Sequence, residues 1–536
     1  MKLITEASAE KLRGGFYTPE PIAEFILRWG INGSSDFDIL EPSCGDGVFL
    51  EQLAKNNLNY NSVTAIELDE AEAAKAEKID LKNKQVINTD FHTYCNNTHA
   101  RFNLVIGNPP YIRYQFFDRL QQIEASDIFI KAGLTYSKLT NAWVSFVVGS
   151  SLLLKEDGGK IGFVLPAEIL QVSYAQQLRK FIAQFYNKIN IVSFKKLVFP
   201  DIQQEVILLL CEKNNTGDHK IEHLELHDAS ELKNLDISRL KSPYKKIDFK
   251  SNKWTFYFLE QEEIDFLENI SKDRNIFPLG KFAKVEVGIT TGSNEYFTVP
   301  LETVEAYSLH DYAKPMVGRS VQVNSVIFTQ NDWEKNKNSS ARAHLLTFPD
   351  RNNLKEKNGA VQYIEYGESL GIHKGYKTGI RDDWFVVPSL KISDALFIRR
   401  NNLYPKLIIN QARAYSTDTM HRVFLKSSTN LEAFTASYYN SLSLAFTEVC
   451  GRSHGGGVLE LMPNEAERVL LPYHKGNEAL LPEIDKLIRS KTDIEEVLKM
   501  TNQVILKESF GLTQKEIKLA HTIWKKLSER RLNRSK

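Results

Sequence analysis

The sequence predicts an α/β fold: a doubly wound, mostly parallel sheet, followed by a second region of mixed α+β character and a helical C-terminus. Three observations carry this reading. Across residues 1–240, short apolar β-branched runs alternate with helical patterns, as βαβ units do. A glycine-rich turn, Glu41-Pro42-Ser43-Cys44-Gly45-Asp46-Gly47, joins the first of those runs to a helix. Beyond residue 240 the alternation is lost, aromatics and Gly-rich turns become frequent, and the chain ends helical and basic at Lys525-Lys526, Arg530-Arg531 and Arg534.

Taken in order, helical spacing of apolar residues predicts a helix over 19–29, and Asp38-Ile39-Leu40 the first strand. A helix over 48–55, a strand over 62–66 and a helix over 70–76 follow. The runs at 85–87 and 104–106 are the next two strands. A helix covers 141–154; residues 142–154 are the longest apolar stretch, but serines and a glycine interrupt it and it is too short to span a bilayer. A strand at 160–165, a helix at 175–185 and strands at 189–194 and 206–211 complete the set. The pattern loosens into polar sequence near 214–217 and again at 241–253. The expected organisation is therefore a first domain over 1–240, a second over 241–475 and a helical segment over 476–536.

Composition narrows the function classes. Lys+Arg 68 against Asp+Glu 67 gives no global basic field, though a local basic cleft is compatible with that balance. The four cysteines, Cys44, Cys95, Cys211 and Cys450, have no paired spacing, which argues against zinc or disulfides and fits a reducing, cytoplasmic setting. His373, His421 and His454 lack metal-ligand spacing, so no metal site is expected. The N-terminus has no apolar signal-peptide core, and no membrane association is expected.

The most informative residues are Asn108-Pro109-Pro110-Tyr111, directly after the buried-strand run ending at Gly107. Two prolines make the turn rigid. The Asn108 side-chain oxygen and the Pro109 carbonyl can each accept a hydrogen bond from a planar amino group. Together they would draw its nitrogen toward a tetrahedral shape and aim the lone pair at a methyl donor. Tyr111 can stack on a planar base. A tight turn closing a strand would explain the prolines but not the Asn and Tyr around them.

Three further strand ends suit an adenosine-bearing ligand. The turn from Glu41 to Gly47, with Ser43, Gly45 and Gly47, lets a ligand approach the backbone. Glu67 ends the second strand and is placed to accept both ribose hydroxyls. Asp90 can take the adenine amino group and Phe91 can pack on its ring. The interval from Gly47 to Glu67 also suits a nicotinamide dinucleotide, but the loop lacks the third glycine of that fingerprint. Cys44 lies in the glycine loop, not at the catalytic strand, and reads as a packing residue.

With these residues in view, the first 210 residues resemble, in motif order, the γ-class DNA amino-methyltransferases of bacterial restriction–modification systems that make N6-methyladenine. The resemblance implies the S-adenosylmethionine-dependent methyltransferase fold and that cofactor. It implies that Phe16, Tyr17, Thr18 and Pro19 cover the methionine end of S-adenosylmethionine, and that Glu41–Gly47, Glu67, Asp90 and Phe91 hold the rest. The helix beginning Asn141-Ala142-Trp143-Val144-Ser145-Phe146 would line the cofactor pocket, with Asn108 also touching the cofactor. Phe199 is similar in position to an aromatic that stacks, opposite Tyr111, on a base flipped out of duplex DNA. Asn at position 108 favours adenine, since the cytosine-N4 enzymes mostly carry Ser there. The resemblance further implies a double-stranded DNA substrate and a separate restriction endonuclease as partner.

More loosely, residues 277–473 resemble the target-recognition domains of the same enzymes. Arg413, Arg452 and Lys374 are candidates for phosphates or guanine edges. The segment 112–140 reads either as a loop closing over DNA or as an amphipathic cap on the sheet. Two rivals stay open: an Asn-Pro-Pro-Tyr methyltransferase acting on RNA guanine or protein glutamine, and a DNA-binding subunit with a vestigial catalytic domain.

Overall fold

The strands β1 (Asp38–Glu41), β2 (Ser62–Glu67), β3 (Lys84–Asn88), β4 (Leu104–Gly107), β5 (Lys160–Pro166), β6 (Lys188–Phe194), β7 (Val206–Glu212), β8 (Lys220–Leu226) and β9 (Lys245–Lys246) share one sheet. Their order is β3-β2-β1-β4-β5-β7-β6-β8-β9. The computed structural model describes residues 18–533 apart from 34–35, 113–115, 137–139, 200–204, 215–216, 237–243, 248–252, 274 and 355–358; Phe16, Tyr17, Arg113, Tyr114, Pro200 and Arg534 lie outside the described residues. The pairings from β3 through β5 are parallel. β7 runs antiparallel between β5 and β6. The 195–205 link is too short for the helical crossover that a parallel partner requires. Strand order reverses between β1 and β4, so a ligand crevice opens outside the carboxyl ends of these strands.

The helices α1 (Glu20–Ile31), α2 (Val48–Lys55), α3 (Glu70–Glu77), α4 (Phe91–Asn97), α5 (Arg119–Lys131), α6 (Ala142–Leu152) and α7 (Gln176–Phe185) accompany this sheet. Caps written in the sequence start two of them: Asp69 accepts from Ala71 N and Glu72 N at α3, and Asp90 from His92 N and Thr93 N at α4. The apolar stretch at 142–154 is the core helix α6, buried on every side and packed against α4 and α5. Among the described residues no helix is long and apolar enough to cross a membrane. Segment 112–140 contains α5, which packs against α4 and α6 and buries Ala125, Ile128 and Phe129 while leaving Leu120, Ile123 and Ile130 exposed.

The chain divides into two units, Met1–Ile264 and Asp265–Lys536. The first runs beyond the expected boundary at 240 because β9 pairs with β8 and because Trp254, Tyr257, Phe258 and Leu259 are buried. β9 consists of two lysines and has no apolar signature, yet Lys245 is buried with its Nζ donating to the Tyr257 carbonyl at 2.8 Å. The neighbouring Glu222 is buried, and burial pushes its carboxyl up to about 7, Lys245 pulling the other way. The folded chain therefore keeps a proton that the unfolded chain releases near 4.5, so this group's contribution to stability falls as pH rises from about 4.5 to about 7. Glu222→Gln is expected to flatten that part of the profile and to melt above wild type at alkaline pH. Thermal midpoints that stay parallel for the two proteins across this window would remove Glu222 as the cause.

The second unit contains two four-stranded sheets. One joins Ala283–Val287, Met420–Leu425, Ala395–Ile398 and Leu407–Ile409, the other Thr298–Val299, His344–Leu346, Ala313–Val317 and Tyr415–Ser416. A three-stranded sheet joins Arg400–Asn401, Val458–Glu460 and Arg452–His454. The last sixty residues, expected as a separate segment, pack into this unit. Helix α8 (Ser441–Cys450) lies along α9 (Gln514–Leu532), where Arg531 pairs with Glu448 at 2.7 Å and both are buried.

Candidate active site

The loop after β1 is held by backbone bonds. Cys44 N donates to the Ile66 carbonyl at 2.9 Å and Gly47 N to the Cys44 carbonyl at 2.9 Å. Gly45 N donates to Glu67 Oε2 at 2.9 Å. Gly47 has φ +97°, a conformation that demands glycine, and a Cβ there would also crowd Ile79 Cδ1 at 2.6 Å and Ala76 Cα at 3.3 Å. Gly45 has φ +54° with open space above it, which leaves its backbone face bare toward a ligand.

Glu67 clamps this loop. Its Oε2 takes Gly45 N and its Oε1 takes Asp69 N at 2.8 Å. Each oxygen keeps a lone pair for a ligand hydroxyl. Glu41 is buried and, among the described residues, its Oε2 has no hydrogen-bond partner. Burial, with the carboxylates of Glu67 and Asp46, pushes its carboxyl well up. A buried acid with an open oxygen at the head of a glycine loop suits a cationic ligand group, which would supply the missing partner. Burial, with Glu41 and Glu67, likewise pushes the Cys44 thiol far up, so it stays protonated.

Asp90 and Phe91 are more committed within the protein than their positions in the sequence suggest. Asp90 Oδ1 accepts from His92 N and Thr93 N while capping α4 and meets the His92 ring, and Oδ2 accepts from Gln121 Nε2 at 3.0 Å. Burial pushes this carboxyl up, but His92 and Gln121 outweigh it and hold it below the ordinary range. The chain continues from His92 Nε2 to Ser145 Oγ at 2.8 Å. A ligand amine at Asp90 would share Oδ2 with Gln121, a residue that sequence reasoning missed because α5 brings it back from 31 positions away. Phe91 is buried and stacks on Phe146, with centroids 4.7 Å apart and planes at 26°. Thr18 is buried and Pro19 precedes α1, its carbonyl accepting Ile22 N; Tyr17 lies outside the described residues.

β4 delivers Asn108 to the same strand-end rim. Ser43 Oγ donates to the Asn108 carbonyl at 3.4 Å, tying the glycine loop to the Asn108–Tyr111 turn. Pro109 is buried, and Tyr111 donates through its hydroxyl to the Val164 carbonyl of β5 at 3.1 Å. Burial raises the Tyr111 phenol well above its usual range, so it remains a donor. Tyr111 packs on an apolar cluster that includes Phe199, Phe194 and Val206. One end of one sheet thus gathers Glu41, Ser43, Gly45, Gly47, Glu67, Asp90, Asn108, Pro109 and Tyr111.

In the second unit the named cations separate into different roles. Arg452 is bound to buried Glu465 at 2.9 Å, a structural ion pair. His421 is buried with Nε2 on the Leu461 carbonyl at 2.7 Å. Arg413 has φ +50° and is exposed, as is Lys374. Sequence reasoning missed a hub: buried Glu460 receives Arg399 Nε at 2.8 Å, Arg400 Nε at 3.0 Å and His454 Nε2 at 2.9 Å. Burial pushes its carboxyl up, yet the hydrogen bond from Arg400 and the charges of Arg399 and Arg400 hold it below the ordinary range. Arg399, Arg400 and Arg319 line a cleft of about 470 Å³ with Gly318, Asp418 and Thr419. Guanidinium groups fixed in this way match phosphate oxygens or guanine edges. The adjacent Arg399-Arg400 pair was the visible signal.

Comparison with known proteins adds independent findings. Residues 36–199 match the family described as Eco57I restriction-modification methylase, and residues 251–506 match the C-terminal domain of Type II methyltransferase M.Eco57I. The chain is 25% identical over 474 residues to Type II methyltransferase M.AccI of Acinetobacter calcoaceticus, covering 85% of this chain and 84% of that one. It is 29% identical over 238 residues to Type II methyltransferase M.HincII of Haemophilus influenzae, covering 43% of each. Among solved structures, a nuclease-deletion mutant of the Type ISP restriction-modification enzyme LlaGI superposes with a TM-score of 0.50 at 14% identity, over 89% of this chain and 55% of that one, which is a likeness of fold.

Proposed function

We propose that this chain, a DNA methyltransferase of the restriction–modification type, transfers a methyl group from S-adenosylmethionine to N6 of an adenine flipped out of duplex DNA. The observation that carries the reading is the Ser43–Asn108 link, which holds the ligand-facing glycine loop against the Asn108–Tyr111 turn. A donor bound over the loop and an amine bound at the turn then meet at one strand-end rim.

Bound S-adenosylmethionine supplies the electrophilic methyl group. Glu67 accepts the ribose hydroxyls, and the open oxygen of buried Glu41 receives the cationic methionine end. Thr18, Pro19, Asp90, Phe91 and Phe146 close the pocket. Asn108 Oδ1 and the Pro109 carbonyl accept the two amine hydrogens and turn the nitrogen lone pair toward the methyl carbon. Tyr111, steadied by the Val164 carbonyl, stacks on one face of the base and Phe199 on the other. No strong base is required, because the methylated nitrogen is cationic and sheds its proton readily. The setting we assign is the cytoplasm, with the product mark protecting host DNA from a restriction endonuclease carried on another chain.

The test is transfer from labelled S-adenosylmethionine to mixed-sequence duplex DNA, followed by digestion and nucleoside identification. The expected product is N6-methyladenine. N4-methylcytosine would overturn the base assignment, and label in RNA or protein with none in DNA would overturn the reading as a whole.

A further inference from the structure

Between helix Gly359–Ser369 and Trp384 the second unit carries a compact loop whose interior and surface contrast. Inside, Thr378 is buried and its hydroxyl donates to the Ile372 and Gly375 carbonyls. Gly379 N donates to the Gly375 carbonyl at 2.7 Å. The Arg381 guanidinium holds the base of the loop through the carbonyls of Thr291 (2.8 Å), Thr290 (3.2 Å) and Trp384 (3.3 Å). Gly292, at φ +90°, packs so closely beneath that a Cβ would stand 2.9 Å from Thr378 Cγ2. The loop is therefore pinned from within.

Outside, Tyr376 is 84% exposed and Ile380 73% exposed. Lys374 and Lys377 flank Tyr376 and are exposed. Asp382 is exposed at the base, while Asp383 is engaged with Arg351. Exposing a tyrosine and an isoleucine on a rigid loop leaves apolar surface in water that a binding partner would cover. An apolar tip flanked by ammonium groups is complementary to a duplex, which offers phosphates on the outside and base faces between steps. Rigidity lowers the ordering cost of such an insertion.

We propose that this loop is a DNA wedge: Lys374 and Lys377 hold phosphates while Tyr376 and Ile380 enter the groove and loosen a base step of the bound site, lowering the cost of extruding the target base. The inference rests on the base-flipping methyltransferase reading above. It adds a positioning device that acts on the DNA and not on the reacting amine.

The experiment compares wild type with Tyr376→Ala/Ile380→Ala, once methylated plasmid has been mapped to find the target position. Single-turnover methylation is measured on the matched duplex and on the same duplex mismatched at the target, where the base is already loose. A fluorescent adenine analogue at the target reports extrusion. The double variant is expected to lose about 10- to 100-fold on the matched duplex, to recover on the mismatched one and to lose the fluorescence rise. S-adenosylmethionine binding and thermal midpoint should be unchanged. Lys374→Ala/Lys377→Ala is expected to lower the salt slope of DNA binding by about two. Undiminished activity of the aromatic–aliphatic variant on matched DNA, or an equal loss on both duplexes, overturns the wedge alone. A wild-type chain that methylates no duplex DNA overturns the methyltransferase reading and the wedge with it.

Discussion

Asn108→Ala is expected to abolish methyl transfer while leaving S-adenosylmethionine and DNA binding close to wild type. The substitution removes the side-chain oxygen that accepts the amine hydrogen and leaves the backbone in place. The Asn108 carbonyl still accepts from Ser43 Oγ, the two prolines that follow still fix the turn, and Tyr111 still donates to Val164. The lost contact is one that strengthens as the nitrogen becomes tetrahedral, so its removal should reduce the chemical step by about 10³-fold or more and spare ground-state affinity. Single-turnover transfer, with binding of donor and of duplex titrated separately, separates these effects. If donor binding falls in parallel with transfer, Asn108 is a cofactor-pocket residue and not the group that activates the amine.

Arg531→Ala is expected to cost about 3–5 kcal/mol of stability in the second unit, the usual result of leaving a buried partner charge uncompensated. Arg531 lies near the end of α9 and is buried. It donates to Glu448 Oε1 at 2.7 Å and Oε2 at 3.2 Å, and to the carbonyls of Asn402, Leu403 and Gly457. One guanidinium thus holds the C-terminal helix to α8 and to the turns next to the sheet that carries Glu460. The loss should appear as a lowered transition in thermal or urea unfolding, with DNA affinity falling before donor affinity. Arg531→Met combined with Glu448→Leu removes both charges and should recover most of the stability. A single Arg531→Ala variant that melts with wild type would show that the helix is held by its apolar face alone.

Several candidate positions could be read from the chain because their signal is local. Gly47 stands where a positive φ and a close helix coincide, and Asn108 where an apolar strand ends in two prolines. The positive φ at Gly47 and the proline turn after Asn108 are local requirements, while the crowding of Gly47 by Ile79 is not. Glu67 was legible as an acid ending a strand, but its grip on the Gly45 and Asp69 amides was not. Asp90 read as an open acceptor and proved to be a helix cap shared with Gln121, a partner that only the return of α5 supplies. Phe91 read as a ligand-facing ring, and its face lies on Phe146. β9 escaped notice because two lysines carry no hydrophobic pattern and become a strand only through backbone pairing with β8.

The sequence by itself determined the parallel α/β layers, the order of loop, acid, acid and Asn-Pro-Pro-Tyr at successive strand ends, and hence the class of chemistry. Those features follow from apolar period, backbone restriction and side-chain type, all written within a few residues. The tertiary structure alone decided which carboxylates are spent inside the protein and which keep an open oxygen. It also brought Glu448 to Arg531, gathered two arginines and a histidine around Glu460, and left Tyr376 bare on a pinned loop. These depend on long-range burial and partner geometry, and no local pattern encodes the desolvation of a charge by residues a hundred positions away.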